Sequence, residues 1–573
     1  MMIRILFLTI AFSACVAFGQ KVLPTPCEKS GQTATATYEE CVQWYRQLHA
    51  AYPAETTLDS IGYGDVPRLI WVFRIRAGAG PLKRIKVLVN NNIHPGEPEG
   101  TDASMMLARD LLTKPELKEL AGAVDLHIIC QYNVDGTLNR SCCTRANQDG
   151  PPELGFRGNG RNLDLNRDFI KCDSRNAQAF VKYFSKQKFD FMVDNHTSDG
   201  ADYQYVLTYF HTRPEKLETA LGSFLTGMDK TLKSRLEKAG WPTAPYVETR
   251  RDIPDSGINA FWETGRYATG YAALHHCLGF TVETHMLKPF KNRVEATYGF
   301  MLEWLREIRA QAPAYLLAKK SLEGKGRNPG PEYAVLNWQQ DPTRWDTIPF
   351  LGFEHTHKIS SLTGQSRLYY DRSKPWSGNV KYYHYYTPTD SVRLPRYYII
   401  PFAWKEVAER LQWNGMPVKM VPFDSLTRLR VSYITRAEAG KSPYEGHFVH
   451  HGVTTRDTLL YRPVYKGDYI VTVNAENYRF LSSVLEPRAP DSYFAWGFFD
   501  AVLQQKEWFS DYVWVDKAEE LLQKDPALKK EFDGKRASDA AFAADARAQL
   551  VWIYRNSAYY EATHNLYPIY RLD

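Results

Sequence analysis

Along roughly the first 320 residues, short continuous apolar runs alternate with stretches whose apolar residues recur at helical spacing. A bounded apolar run of four to eight residues reads as a strand buried on both faces, and spacing of i, i+3, i+4 and i+7 reads as an amphipathic helix. Strands are therefore expected at 70–75, 85–91, 124–131, 189–194, 205–208 and 278–283, and helices at 38–51, 99–112, 176–187, 214–239 and 298–317. The first of these helices carries Trp44, Tyr45, Leu48 and Ala51 on one face. Strands alternating with helices imply an α/β fold: a mixed, mostly parallel sheet flanked by helices.

The pattern changes after Gly324-Lys325-Gly326-Arg327-Asn328-Pro329-Gly330-Pro331, where glycine and proline oppose continuation of helix or strand. Beyond it lie tyrosine-rich alternating segments such as Lys381-Tyr382-Tyr383-His384-Tyr385-Tyr386 and Arg396-Tyr397-Tyr398-Ile399-Ile400, which read as antiparallel strands. From Asp491 helical spacing returns, at 499–505, 517–523 and 537–556. The expected organisation is a leader at 1–19, an α/β domain at 20–322, a linker at 323–331, a β-rich region at 332–490 and a helical segment at 491–573.

The leader reading rests on Arg4, the apolar stretch from Ile5 to Phe12, and the small residues before Gln20, the layout of a secretory signal. It predicts an exported protein, periplasmic or secreted. Ser13-Ala14-Cys15 loosely resembles a lipoprotein cleavage site, so a lipid anchor is the lesser alternative. No other segment reaches the roughly 20 apolar residues that span a bilayer. Of eight cysteines, Cys15 falls in the leader and seven remain, an odd number. Cys27 with Cys41, and Cys172 with Cys142 or Cys143, would each close a short loop, while Cys130 and Cys277 lie in apolar runs as buried thiols. The net charge of +6 on 573 residues comes without a dense basic run, which disfavours nucleic acid as a partner. Oligomeric state is not specified by any of these features.

Four polar residues follow or end apolar strands: His94, Glu97, His196 and Glu283. In open α/β sheets ligands sit at the carboxyl ends of strands, where residues distant in sequence converge. Alone, a histidine and glutamate three apart are common by chance, and His196 or Glu283 alone could be a satisfied core or turn residue. Together they offer two imidazoles and a carboxylate, His94, Glu97 and His196, as ligands for one zinc ion, with a fourth position open, the layout of a hydrolytic site. Glu283 is then the candidate general base and Arg145 the candidate donor to a developing oxyanion. In Asp164-Leu165-Asn166-Arg167-Asp168-Phe169, the Asn166–Arg167 pair suits a substrate carboxylate, because arginine binds carboxylates through a planar fork.

The ordered set His94-Pro95-Gly96-Glu97, Asn133-Val134-Asp135-Gly136, Arg145, Asp164-Leu165-Asn166-Arg167-Asp168-Phe169, His196 and Val282-Glu283-Thr284 resembles the zinc metallocarboxypeptidases of the carboxypeptidase A type, the M14 family, over about residues 38–315. The resemblance implies a carboxypeptidase-like catalytic domain, with His94, Glu97 and His196 binding zinc, Glu283 as base, Arg145 polarising the carbonyl, and Asn166 with Arg167 holding the C-terminal carboxylate of a peptide substrate. Two departures are visible. Gly96 stands where many digestive-type members carry arginine, and the family's capping tyrosine has two candidates, Tyr267 and Tyr271.

The function expected is an exported zinc carboxypeptidase. An alternative is a zinc amidase or peptidase acting on cell-wall or modified peptides, and a third is an inactive hydrolase-like protein whose aromatic β region binds glycans or partners. Arg250, Arg251, Asp252, Asp255 and Glu263 make the segment before Tyr271 polar, which predicts a specificity pocket that is not purely apolar.

Overall fold

A computed structural model of the chain describes residues 23–78, 84–322 and 329–573. The leader at 1–19 and residues 323–328 of the expected linker lie outside the described residues. Eight strands form the main sheet: β1 Thr56–Tyr63, β2 Leu69–Ile75, β3 Ile85–Asn90, β4 Val124–Ile129, β5 Phe191–Ser198, β6 Leu207–His211, β7 Thr243–Pro245 and β8 Leu278–His285. Their order is β1-β2-β4-β3-β5-β8-β6-β7. The central β4-β3-β5-β8 run is parallel, while β1, β2 and β6 pair antiparallel, so the sheet is mixed as expected.

The helices that cover it include α1 Tyr38–Ala51, α2 Glu99–Thr113, α3 Arg175–Gln187, α4 Thr219–Lys238, α5 Ala268–Leu274 and α6 Phe290–Lys320. α1 begins where its sequence supplies a capping box: the Thr37 hydroxyl accepts from Glu40 N, and the Glu40 carboxylate returns to Thr37 N. It buries Cys41, Trp44, Tyr45 and Leu48 against the sheet. The central strands β3, β4 and β5 are buried almost throughout, which is why they read as unbroken apolar runs.

One core fills the face of the sheet covered by α1, α2, α4 and α6. The core on the other face joins Phe169, Phe180, Phe184 and Tyr271 to residues of the C-terminal half, among them Ala334, Tyr398, Val407, Phe480, Trp496 and Tyr567. The β-rich region therefore packs directly on the α/β half. It contains a six-stranded sheet in which the long strands Ser425–Ala439 and His450–Val464 pair antiparallel. A second long pair, Asp346–Ile359 with Ser366–Tyr383, joins short strands of residues 248–259. The terminal helices close around their own cluster of Trp514, Phe532, Phe542 and Tyr554.

The short-loop disulfides anticipated from spacing do not form. Cys27, Cys41 and Cys172 are buried free thiols, and Cys142 and Cys143 are bonded to each other. Cys27 and Cys41 are packed in one core and Cys172 in the other, whereas Cys142 and Cys143 are exposed. Cys130 and Cys277 are buried free thiols as expected. No helix of the described residues is long and apolar enough to cross a membrane.

Candidate active site

β3 ends at Asn90, and the chain then makes the turn that holds His94 and Glu97, with Glu97 N donating to His94 O at 2.9 Å before α2 begins at Glu99. His196 lies near the end of β5, and the parallel register pairs it with Glu283 on β8, so the two side chains lie on the same face. All seven residues selected from sequence, His94, Glu97, Arg145, Asn166, Arg167, His196 and Glu283, line one cleft of about 250 Å³.

Within it, donor atoms of His94, Glu97 and His196 lie within 4.8 Å of one another, and all three residues are buried. His94 Nε2 is 2.9 Å from Asp164 Oδ1 and His196 Nε2 is 2.8 Å from Asp194 Oδ2. Those carboxylates fix both rings with Nδ1 turned toward Glu97, 3.2 Å from Oε1 for His94 and 3.1 Å from Oε2 for His196. Histidine held by a carboxylate on one nitrogen and pointing the other at a shared centre is the usual outer support of a metal ligand. His94 Nδ1 is buried without a hydrogen-bond partner among the described residues, an atom that a metal ion would satisfy. The donor set therefore suits zinc.

The electrostatics follow from this crowding. Burial works against ionisation of Glu97, but His94 and Arg145 outweigh it and hold the carboxyl well below the usual range. Burial likewise opposes protonation of His196, yet the Asp194 carboxylate carries the ring well above its ordinary value. Glu283 is partly open to the cleft; desolvation, with the Glu97 and Glu263 carboxylates adding to it against His196, pushes it up to about 8.

Two arginines reach Glu97. Arg145 is committed on three sides, to Gln148 Oε1 at 2.6 Å, Glu97 Oε1 at 2.7 Å and the Thr197 carbonyl at 2.9 Å. It lies across Gly96, where an added Cβ would stand 2.6 Å from Arg145 Cδ, so this chain has no room for a side chain at that place in the turn. Arg157 grips Asp164 Oδ2 through Nε at 3.0 Å, and its side chain is 46% exposed against 17% for Arg145. The sequence reading overlooked Arg157, and also the support given by Asp164 and Asp194. Asp194 stands two residues before His196 on one strand, hence on the same face, a spacing that could have revealed it.

Asn166 accepts from Ala268 N at 3.2 Å through Oδ1, and Arg167 lies over the Tyr267 ring at 4.4 Å. Tyr267 lines the cleft, whereas Tyr271 is fully buried with its hydroxyl on Asn414. Of the polar residues of the preceding segment, Glu263 alone reaches the cleft: it is 4% exposed and accepts from Thr269 N at 2.8 Å. Arg250, Arg251, Asp252 and Asp255 are on the surface.

A cleft of this composition at the strand ends of a mixed sheet has a donor set that could hold a metal ion beside a carboxyl. The sequence profile of the zinc carboxypeptidase family, hydrolases acting on peptide bonds, matches residues 41–302. The chain is 22% identical over 448 residues to Carboxypeptidase 2 of Trichophyton rubrum, spanning 72% of this chain and 74% of that protein. It is 31% identical over 141 residues to Carboxypeptidase D of Mus musculus, 21% of this chain and 10% of that one. In structure it is similar to carboxypeptidase A of Helicoverpa armigera, with a TM-score of 0.38 and 15% identity over 50% of this chain and 75% of that chain.

Proposed function

We propose that this protein is a zinc-dependent carboxypeptidase that removes C-terminal residues from peptides. The observation that carries the reading is the meeting, in one cleft, of a His94–Glu97–His196 donor group, a carboxyl beside it on Glu283, and the Asn166–Arg167 pair. His94 and His196 through Nδ1, with Glu97, would hold the ion. Zinc held there would supply Lewis acidity to a carbonyl oxygen and to a water molecule. Glu283 accepts that water's proton and later delivers it to the leaving amine. Arg157, more open than Arg145, is placed to donate to the carbonyl oxygen as negative charge develops; Arg145, assigned that role from sequence, instead orients Glu97. Asn166 and Arg167 hold the free carboxylate of the substrate, which restricts cleavage to the last bond. Residues 20–322 form the catalytic unit, and the leader pattern at 1–19 supports export.

Metal analysis tests the first part. The purified protein should carry about one zinc ion per chain, and His196→Ala should lose it by about 10-fold or more in affinity. Full zinc occupancy in that variant would contradict the assignment.

Side-chain preference follows from Glu263. A buried carboxylate among Phe210, Tyr246 and Phe261 offers a cation both a charge partner and aromatic walls. Peptides ending in lysine or arginine should be preferred, and Glu263→Gln should cut that preference over leucine by about 10- to 100-fold. The measurement is the ratio of kcat/KM for matched Arg- and Leu-ended peptides; an unchanged ratio would remove Glu263 from the pocket's chemistry.

A further inference from the structure

The loop that carries Asn166 and Arg167 is clasped by the C-terminal half of the chain. The strands Ser425–Ala439 and His450–Val464 are joined by a connection whose tip is a tight turn, Tyr444 to His447. Tyr444 N donates to His447 O at 2.7 Å and His447 N returns to Tyr444 O at 3.0 Å. Glu445 and Gly446 between them have φ of 51° and 82°. Both central residues are left-handed, as in a type I′ turn; glycine adopts this readily, and a glutamate does so where its surroundings over-determine it. Those surroundings belong to the catalytic half. Glu445 Oε2 accepts from Asp164 N at 2.6 Å, and His447 Nε2 is 2.7 Å from Asp173 Oδ2. The turn thus holds both ends of the 164–173 loop.

Between these anchors Tyr444 meets the guanidinium itself. Its hydroxyl accepts from Arg167 Nε at 2.9 Å, and its ring stacks on Trp496 with centroids 6.1 Å apart. Arg167 Nη1 donates to the Asn166 carbonyl at 2.8 Å, and Tyr267 supports the guanidinium face. Nη2 makes no hydrogen bond among the described residues, and the side chain lines the cleft. An arginine has many rotamers, and one whose Nε, Nη1 and face are all held presents its remaining edge in one direction.

We propose that Tyr444 is a positioning residue for Arg167, so that recognition of the substrate carboxylate is built jointly by the α/β half and the C-terminal β region. This rests on the reading of Arg167 as the carboxylate site. Tyr444→Phe removes the acceptor and keeps the stacked ring. It should raise KM for free-acid peptides about 10-fold, the scale of one hydrogen bond to a charged group, with kcat within about twofold. Slow hydrolysis of a C-terminally amidated peptide should be unchanged, which also shows the variant to be folded. In an Arg167→Gln background the same substitution should add less than about twofold, since the partner is gone. If Arg167→Gln raises KM but Tyr444→Phe does not, or if Tyr444→Phe acts equally in both backgrounds, the positioning role is overturned. If Arg167→Gln itself leaves KM unchanged, the carboxylate reading beneath it falls.

Discussion

Glu283→Gln is expected to lower kcat by about 10²- to 10⁴-fold while the His94–Glu97–His196 group keeps its metal. The loss should lie toward the upper end because one carboxyl both takes the proton of the attacking water and returns it to the amine. The geometry separates the two effects: Glu283 is beside His196 in the sheet but outside the three-residue donor group. Its surroundings, through burial first and then Glu97 and Glu263, raise it to about 8, so its basic form is lost as the pH falls through that range. A divalent cation in the group draws the value down by adding positive charge. The wild-type rate should therefore drop on the acid side, and the residual rate of the glutamine variant should lack that limb. A variant with near-normal kcat, or one without metal, would remove Glu283 from the role.

Arg167→Gln is expected to lower kcat/KM for ordinary peptides by about 10²- to 10³-fold, mainly through KM. Truncating one side of a desolvated charge pair costs more than the pair's net worth, because the substrate carboxylate would still be buried, now without its partner. The contact exists before and during reaction alike, so it is felt as binding. Comparing peptides with free and amidated C-termini isolates it: the variant should treat the two nearly alike. A variant that still discriminates strongly against the amide would place the carboxylate elsewhere in the cleft.

Much of the α/β half is legible in sequence because its central strands are buried on both faces and so appear as bare apolar runs. β1 is not, since it is an edge strand, largely exposed, and its sequence Thr56-Thr57-Leu58-Asp59-Ser60 has no clear alternation. The stretch expected as one helix at 537–556 is broken where Asp539 and Asp545 cap new turns, accepting from Phe542 N and Ala548 N. Aspartate in that position is a helix start that periodicity alone does not register. The short helix Lys405–Trp413, which buries Val407, Ala408 and Leu411, was hidden within a region dominated by tyrosine-rich strands. In the site, the proposed ligands and base were readable because His94 and Glu97 share the turn after one strand while His196 and Glu283 lie near the ends of two others. Tyr444 and Glu445 were not, because they meet Arg167 and Asp164 across 277 and 281 residues of chain, and no local pattern records such a contact.

The central claim is that this cleft cuts only the last bond of a peptide and does so by holding its free carboxylate. The direct measurement is mass analysis of the products from one peptide offered as the free acid and as the C-terminal amide. The account predicts stepwise loss of single C-terminal residues from the acid and cleavage of the amide slower by about 10²-fold or more. Internal cleavage, or equal rates on acid and amide, would contradict it.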